Sequence, residues 1–225
     1  MIQEFLRAAL RERGYLEGKN IVIDWRSPYE GNQELRALAA ELVGERVDVI
    51  VTFGTPAARA ALSATSTIPV VFSAGDPVAT GLADSLVKPG RNGTGVSVVA
   101  TELTAKRLDF LHRLAPRARR IAYFVNSANP LGPLQLEEAR RTAPVLGIEL
   151  VVLDAKNISE LEDRLRVLHP KEVDAVLVTA DVLFQMNRPT IARAVRRARI
   201  PGMFPYKEYL DDGMLSSYGP DLREL

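Results

Sequence analysis

Residues 48–58, with the sequence DVIVTFGTPAA, and residues 68–78, with the sequence IPVVFSAGDPV, decide the fold class of this chain. In each segment a short apolar run, typical of a buried parallel strand, ends in a small polar turn that leads into a helix. Such turns lie together at the carboxyl edge of a parallel sheet, where open α/β sheets bind ligands. These two turns offer backbone N–H groups and hydroxyls, so we expect them to hold a small molecule rather than transform it.

The alternation of strands and helices continues along the 225 residues. Further strands are predicted at 20–25, 120–125, 148–153, 174–179, 201–204 and 214–217, and helices at 55–63, 78–87, 101–114 and 190–199. The helix over 101–114 carries Arg107 on the same face as Leu103 and Leu111. Strands that alternate with helices imply βαβ units with right-handed crossovers.

A stretch rich in glycine and proline, KPGRNGTG at 88–95, is predicted to be a linker and the main internal boundary. It divides the chain into an N-terminal lobe over 1–95 and a C-terminal lobe over 96–204, with 205–225 as a return crossing into the first lobe. The predicted fold is α/β, with two Rossmann-like lobes built on parallel sheets. Lobes that face each other form a cleft lined by strand ends, a common kind of ligand site.

The amino-acid composition argues against several classes of partner and site. Hydrophobic residues make up 47% of the chain and charged residues 25%, as in ordinary globular proteins. The 29 basic and 28 acidic side chains give a net charge of +1, which argues against a nucleic-acid partner. The absence of cysteine excludes disulfides and thiolate metal sites, and two histidines are too few for a histidine-based metal site. Apolar runs are too short to span a bilayer.

Candidate ligand-binding residues in the first lobe follow its strands. Gly54 and Thr55 stand where a helix begins, and free N–H groups there favour a carboxylate. The alternative is that Thr55 only caps the helix. Ser73, Ala74 and Asp76 are predicted to form the next turn. The Asp76 carboxylate is a candidate partner for a ligand ammonium group, with a turn residue that bonds its own backbone as the alternative.

Candidates in the second lobe face the cleft from the other side. Asn126 and Asn129 follow the first predicted strand of this lobe, where ordinary turn chemistry is the alternative. Asp181 follows the third strand and is a second candidate for the ammonium group, with a helix cap as the alternative. Tyr206 and Tyr218 lie in the return crossing, where a ring can stack on the ligand or pack in the hinge.

Eight segments, in this order along the chain, carry a family resemblance: GYLEGKNI at 14–21, LV at 42–43 with VDVI at 47–50, GTPAA at 54–58, IPVVF at 68–72, GDPV at 75–78, GTG at 93–95, KRL at 106–108 and SYGPD at 217–221. Together they resemble the ABC-transporter substrate-binding protein family that includes the tryptophan-binding TrpX proteins. Single motifs of this kind are weak, whereas the ordered set is specific and spans nearly the whole chain.

This resemblance implies a type I periplasmic-binding-protein fold, with two Rossmann-like lobes and a hinge. It also implies a solute-binding component of an ABC importer, periplasmic or lipid-anchored outside the cytoplasm, which delivers its ligand to a permease of the inner membrane. The ligand class it suggests is an aromatic or other hydrophobic amino acid. We further expect a monomer that needs no cofactor and no metal.

Relatives begin with a signal segment and a first strand before the helix found here at Ile2, and they continue past Leu225. The expectation is therefore a chain truncated at both ends, in which the first strand of the N-terminal lobe is missing. Two other functions stay open at this point. One is the effector-sensing domain of a regulator, which shares the fold type. The other is an enzyme on the same architecture, which is weaker because no Ser-His-Asp set, cysteine nucleophile or metal cluster is evident.

Overall fold

Two parallel sheets organise residues 2–28 and 34–221, the part of the chain that the computed structural model describes. The first sheet has the order β1-β2-β3, with strands β1 (Ile50–Phe53), β2 (Val70–Ala74) and β3 (Gly93–Ser97). The second has the order β5-β4-β6-β7, with strands β4 (Arg120–Val125), β5 (Glu149–Asp154), β6 (Ala175–Val178) and β7 (Gly202–Met203). Every pairing between these strands is parallel, so the predicted α/β class is confirmed.

Helices connect the strands and cover the sheets. They are α1 (Ile2–Glu12), α2 (Leu35–Gly44), α3 (Thr55–Ala64), α4 (Ala100–Leu114), α5 (Leu131–Thr142), α6 (Ile158–Arg166), α7 (Val182–Met186), α8 (Arg188–Ala198) and α9 (Glu208–Asp211). A 3₁₀ turn at Ala143–Leu146 continues α5. The change of helix type coincides with Pro144, which has no N–H group to donate to an α-helical bond.

The second sheet is buried on both faces. Leu108 of α4 belongs to the core on one face, together with Tyr123 and residues of α5. Leu161 of α6 and Val195 of α8 belong to the core on the other face, together with Phe124. All four residues of β6 are buried, as expected for a parallel strand between two helical layers.

The first sheet is covered by helices on one face. Its residues Ile50 and Phe72 are buried beside α3, and α2 packs against α3. On the opposite face Val51 is 42%, Val71 39% and Val96 40% exposed. The two lobes therefore differ in how completely their sheets are enclosed.

Three predicted elements are wrong, and local hydrogen bonds explain two of them. The strand predicted at 20–25 is replaced by a turn with one isolated bridge at Ile21, because Asn20 bonds backbone groups of that turn. The helix predicted at 78–87 is a series of turns, in which Gly81 has a φ of 72° that no right-handed helix allows. The strand predicted at 214–217 contributes one bridge to Phe204.

The predicted linker at 88–95 ends as a strand, since Gly93–Ser97 forms β3 beside β2. Gly95 is needed there, because a Cβ atom on it would overlap the backbone carbonyl of Phe72. A glycine inside a strand marks this kind of close approach. The boundary predicted between 95 and 96 falls inside β3, and the chain passes to α4 of the second lobe after Ser97.

Candidate functional site

The first-lobe turn is built from backbone groups and one hydroxyl. Gly54 lies between β1 and α3 with a φ of 90°, and its N–H donates to the Ser73 carbonyl at 2.8 Å. The buried Thr55 hydroxyl accepts from the Gly75 N–H at 3.2 Å and lies 3.3 Å from the Gly75 carbonyl. Thr55 does not cap its own helix, because the N-cap position of α3 is Gly54. Its hydroxyl instead fixes the distance between the two first-lobe turns.

Ser73 and Ala74 are strand residues rather than turn residues. Strand β2 extends to Ala74, whose carbonyl accepts from Val98 N–H at 2.9 Å across the ladder to β3. The Ser73 carbonyl is likewise engaged by Gly54. The sequence placed the turn two residues too early because serine and alanine are common in turns and β2 was expected to end at Phe72.

Asp76 connects the first lobe to the helix that follows β3. One carboxylate oxygen accepts from the Thr101 N–H at 2.9 Å and also from the Thr101 hydroxyl. Thr101 lies in the first turn of α4, where backbone N–H groups lack partners within the helix. This carboxylate oxygen of Asp76 therefore does not bond its own turn, as the alternative expected. It caps α4, a helix of the other lobe.

The second-lobe turns bring together three predicted residues, Asn126, Asn129 and Asp181. All three are buried. The Asp181 carboxylate accepts from Asn129 Nδ2 at 2.7 Å and from Asn126 Nδ2 at 3.3 Å. It also accepts from the Leu183 N–H at 2.7 Å, which makes Asp181 the N-cap of α7.

Burial raises the pKa of the Asp181 carboxyl above its ordinary value, and the donors from Asn129, Leu183 and Asn126 oppose that rise. The two amides are oriented by their own turns: Asn126 Oδ1 accepts from Ala128 N–H and Asn129 Oδ1 from Leu131 N–H, each at 3.0 Å. Turn chemistry and contact with Asp181 thus coexist, because one end of each amide forms the turn and the other donates to the Asp181 carboxylate.

The two candidate tyrosines that follow β7 have different surroundings. Tyr206 follows β7 and is 9% exposed, and burial raises the pKa of its phenol to about 12. The charge of Arg107 lowers that pKa, while the charges of Asp181 and Glu208 raise it. The ring of Tyr218 packs edge-to-face on Phe110 of α4, with 4.6 Å between ring centroids. The Tyr218 ring therefore packs against the core of the second lobe.

The turns of the two lobes face each other. A Cβ atom placed on Gly54 would lie 2.6 Å from Val182 Cγ2, at the start of α7. A Cβ atom on Gly75 would overlap the side chain of Leu131, at the start of α5. Each contact joins a first-lobe turn to a second-lobe helix start, so the strand ends of both sheets border a common interface.

Sequence reasoning missed two buried charged residues beside this interface. Arg107 of α4 is 0% exposed and Glu208 at the start of α9 is 2% exposed. Within residues 2–28 and 34–221, neither terminal nitrogen of Arg107 and neither carboxylate oxygen of Glu208 has a hydrogen-bond partner. Arg107 had a detectable signal, an arginine on the apolar face of a predicted helix. Glu208 had none, because an acidic residue in a polar crossing is ordinary.

Two features are absent from the described part of the chain. In that part, no group of three or more His, Cys, Asp or Glu side chains could hold a metal ion. None of its helices combines the length and the apolar character that crossing a bilayer requires.

The model of one protein family, described as ABC transporter substrate binding protein, matches residues 2–225. The chain belongs to this family. The resemblance found in the ordered sequence segments is thereby confirmed. A curated relative, the tyrosine-binding protein of Clostridioides difficile, is 29% identical over 218 residues, which are 96% of this chain and 62% of the relative. The chain thus spans about three fifths of the length of that family member.

Solved structures share the fold. The structure of an ABC domain in complex with L-Trp, from Streptococcus pneumoniae, superposes with a TM-score of 0.87 at 24% identity, over 99% of this chain and 75% of that chain. A conserved domain protein from Vibrio cholerae superposes with a TM-score of 0.89 at 27% identity, over the same shares. The expected type I periplasmic-binding-protein fold is confirmed for this family member.

Proposed function

We propose that this chain binds an aromatic or other hydrophobic amino acid between its two lobes, as the solute-binding part of an ABC importer. The observation that carries the proposal is the buried Asp181 carboxylate, held by Asn126 and Asn129 where the second-lobe turns meet the first lobe. The ligand class is supported by two similar proteins, one described as tyrosine-binding and one solved with L-Trp.

Each lobe contributes a different kind of contact to this ligand. Asp181 receives the ammonium group, and its amide neighbours keep the carboxylate in position. The first turn of α3, beginning at Thr55, offers N–H groups and the positive end of the helix dipole to the ligand carboxylate. Tyr206 offers an aromatic surface to the ligand side chain.

Contacts between the lobes match a closed arrangement. The close approach of Gly54 to Val182, and of Gly75 to Leu131, requires that the two sheets lie with their carboxyl edges together. Hinge closure around a ligand is a standard device of two-lobed binding proteins. The ligand lies beside these contacts, so binding stabilises the arrangement in which they form.

The partner that fits this role is a membrane permease, which takes the ligand from the closed form. We place the protein outside the inner membrane, periplasmic or lipid-anchored, as a monomer without a nucleic-acid partner. Because the contacts named above hold a ligand without supplying a nucleophile or a proton-transfer pair, we expect the ligand to be released chemically unchanged.

Isothermal titration calorimetry with L-Trp, L-Tyr, L-Phe and L-Leu tests this function. We expect at least one aromatic amino acid to bind, and Asp181→Asn to weaken that binding about tenfold to a hundredfold, as for loss of a charge-assisted hydrogen bond. Asp163→Asn, which changes an exposed carboxylate on α6, is the matched control and is expected to bind as the wild type. Absence of heat with all four ligands, or equal affinity in Asp181→Asn, contradicts the proposal.

A further inference from the structure

Arg107 is fully buried, but only one of its three guanidinium nitrogens has a hydrogen-bond partner among the described residues. Its Nε donates to the Tyr218 carbonyl at 2.7 Å. Its two terminal nitrogens are buried and lack a hydrogen-bond partner among the described residues. A buried cation without a partner is costly, and burial accordingly lowers the pKa of Arg107. A group that satisfies both nitrogens at once would remove that cost.

The geometry of the guanidinium selects the partner. Because Tyr218 holds the Nε edge, the plane of the group is fixed and the two terminal nitrogens form the free end of the fork. This planar fork matches the two oxygens of a carboxylate in a bidentate pair, which a single carbonyl cannot provide. The missing partner is therefore a carboxylate or a similar planar anion.

The position of Arg107 is at the ligand-binding edge of the second sheet. Tyr218 N–H donates to the Phe204 carbonyl at 2.9 Å, and Phe204 directly follows β7. The guanidinium therefore lies beside the chain where it leaves the carboxyl end of β7. Tyr206 is two residues further on, and its phenol responds to the charges of Arg107, Asp181 and Glu208. The charges of one cation and two carboxylates thus act on the pKa of one phenol.

Glu208 does not neutralise Arg107 directly. Glu208 is buried, both of its carboxylate oxygens lack hydrogen-bond partners among the described residues, and within that set no ion pair of 4.0 Å or less joins it to Arg107. The terminal nitrogens of Arg107 and the carboxylate oxygens of Glu208 are therefore buried groups of opposite charge that both lack hydrogen-bond partners among the described residues. A molecule that carries a carboxylate and an ammonium group satisfies both.

We propose that Arg107 binds the carboxylate of the ligand and that Glu208, together with Asp181, binds its ammonium group. This inference rests on the proposed function and deepens it, because it adds a second-lobe cation to the first-lobe N–H groups that receive the ligand carboxylate. The ligand then docks on the second lobe first. The N–H groups of the first lobe close over it afterwards.

A cycle of ligand and protein changes tests the role of Arg107. The probes are L-Trp, tryptamine, which lacks the carboxylate, and indole-3-propionate, which lacks the ammonium group. We expect Arg107→Gln to weaken L-Trp about tenfold to a hundredfold, the range for a lost charge-assisted bond, and tryptamine by less than about threefold. Glu208→Gln is expected to weaken L-Trp and tryptamine but not indole-3-propionate.

Arg197→Gln is the matched control, because Arg197 lies on α8 and bonds the Leu165 carbonyl away from the cleft. Arg107→Lys keeps the charge without the fork, so it serves if Arg107→Gln does not fold, and it is expected to retain an intermediate preference for L-Trp over tryptamine. This inference is wrong if either Arg107 variant loses affinity for L-Trp and tryptamine by the same factor, or if it loses no affinity for L-Trp. The proposed function stands in both cases. If the wild type binds no amino acid of the panel, both are wrong.

Discussion

The two lobes share a strand-and-helix plan but differ in what surrounds their sheets. In the second lobe β6 is buried along its whole length between two helical layers. In the first lobe alternate residues such as Val51 and Val71 are about two fifths exposed. The charged candidates Asp181 and Arg107 belong to the enclosed second lobe, and Glu208 lies on α9, which packs against α8 of that lobe. The turns of the open first lobe offer mainly backbone groups.

This difference follows from the cost of burying charge. A carboxylate such as Asp181 stays buried because three donors surround it, and each donor must be held by packed elements behind it. The first lobe has helices on only one face of its sheet, so it lacks packed elements that could hold such donors on the other face. Backbone N–H groups at a helix start need no such framework, because the helix itself orients them. In the proposed binding mode, the second lobe therefore supplies charged side chains and the first lobe supplies backbone N–H groups.

The largest expected effect tests the packing contrast. Leu177→Ala removes a fully buried side chain of β6 and is expected to cost about 2–5 kcal/mol in the free energy of unfolding. Val71→Ala, at a position 39% exposed in the first sheet, is expected to cost less than about 1 kcal/mol. Urea unfolding of the two variants provides the measurement. Equal losses would break the comparison, because they would mean that both sheets are equally enclosed.

An intermediate effect is expected where the lobes touch. Gly54→Ala forces a side chain into a φ of 90° and against Val182, so we expect about 1–3 kcal/mol of destabilisation and weaker ligand binding. Gly81→Ala is the matched control, because Gly81 has a φ of 72° but nothing within 4 Å of a Cβ atom. It is expected to lose stability but not affinity.

The double variant Gly54→Ala with Val182→Ala separates contact from backbone strain. Removal of the Val182 methyl groups is expected to restore part of the ligand affinity lost in Gly54→Ala, as measured by calorimetry. An unchanged affinity in Gly54→Ala itself would show that closure does not bring these two residues together.

The smallest expected effect concerns acid stability in the second lobe. Backbone N–H groups of Arg120 and Arg119, and the Arg120 guanidinium, lower the pKa of Asp174 to about 2. The folded value lies below the ordinary value, so this group stabilises the protein above about pH 4 and loses that effect as the pH falls toward 2. Asp174→Asn is expected to cost about 1–2 kcal/mol at neutral pH and to flatten the stability curve between pH 4 and 2.

Unfolding monitored from pH 7 to pH 2 checks this prediction, with Asp163→Asn as the exposed control on the same lobe. A curve for Asp174→Asn that keeps the wild-type slope between pH 4 and 2 would assign the acid sensitivity to other carboxylates.

Side-chain periodicity predicted an element correctly where the local hydrogen bonds favour the same structure. The strand predicted at 120–125 is observed at β4. The spacing of Asn157 and Glu160 is that of a helix cap, and Asn157 Oδ1 accepts from Glu160 N–H at 2.9 Å. The helix predicted at 78–87 failed because turn bonds formed by Thr80 and the left-handed Gly81 outweigh its apolar spacing. The predicted end of β2 at Phe72 is also wrong, because pairing with β3 extends the strand to Ala74.

Among the candidate site residues, the sequence identified the strand-end positions but not their partners. It placed Asn126, Asn129 and Asp181 at two separate strand ends, and the structure joins them in one hydrogen-bonded cluster. It offered Asp76 as a ligand partner, whereas one of its oxygens caps α4 through Thr101. Partners of this kind depend on which turns meet across the sheet edges, and no local spacing encodes that.

The sequence by itself determined the alternation of strands and helices, and with it the carboxyl edges where ligands bind, because side-chain periodicity acts within a few neighbouring residues. Only the tertiary structure decided which polar groups lose contact with water. Arg107 is fully buried and is oriented by Tyr218, a residue 111 positions away. Charge becomes selective for a ligand only when burial removes competing water, and burial is a property of the assembled lobes.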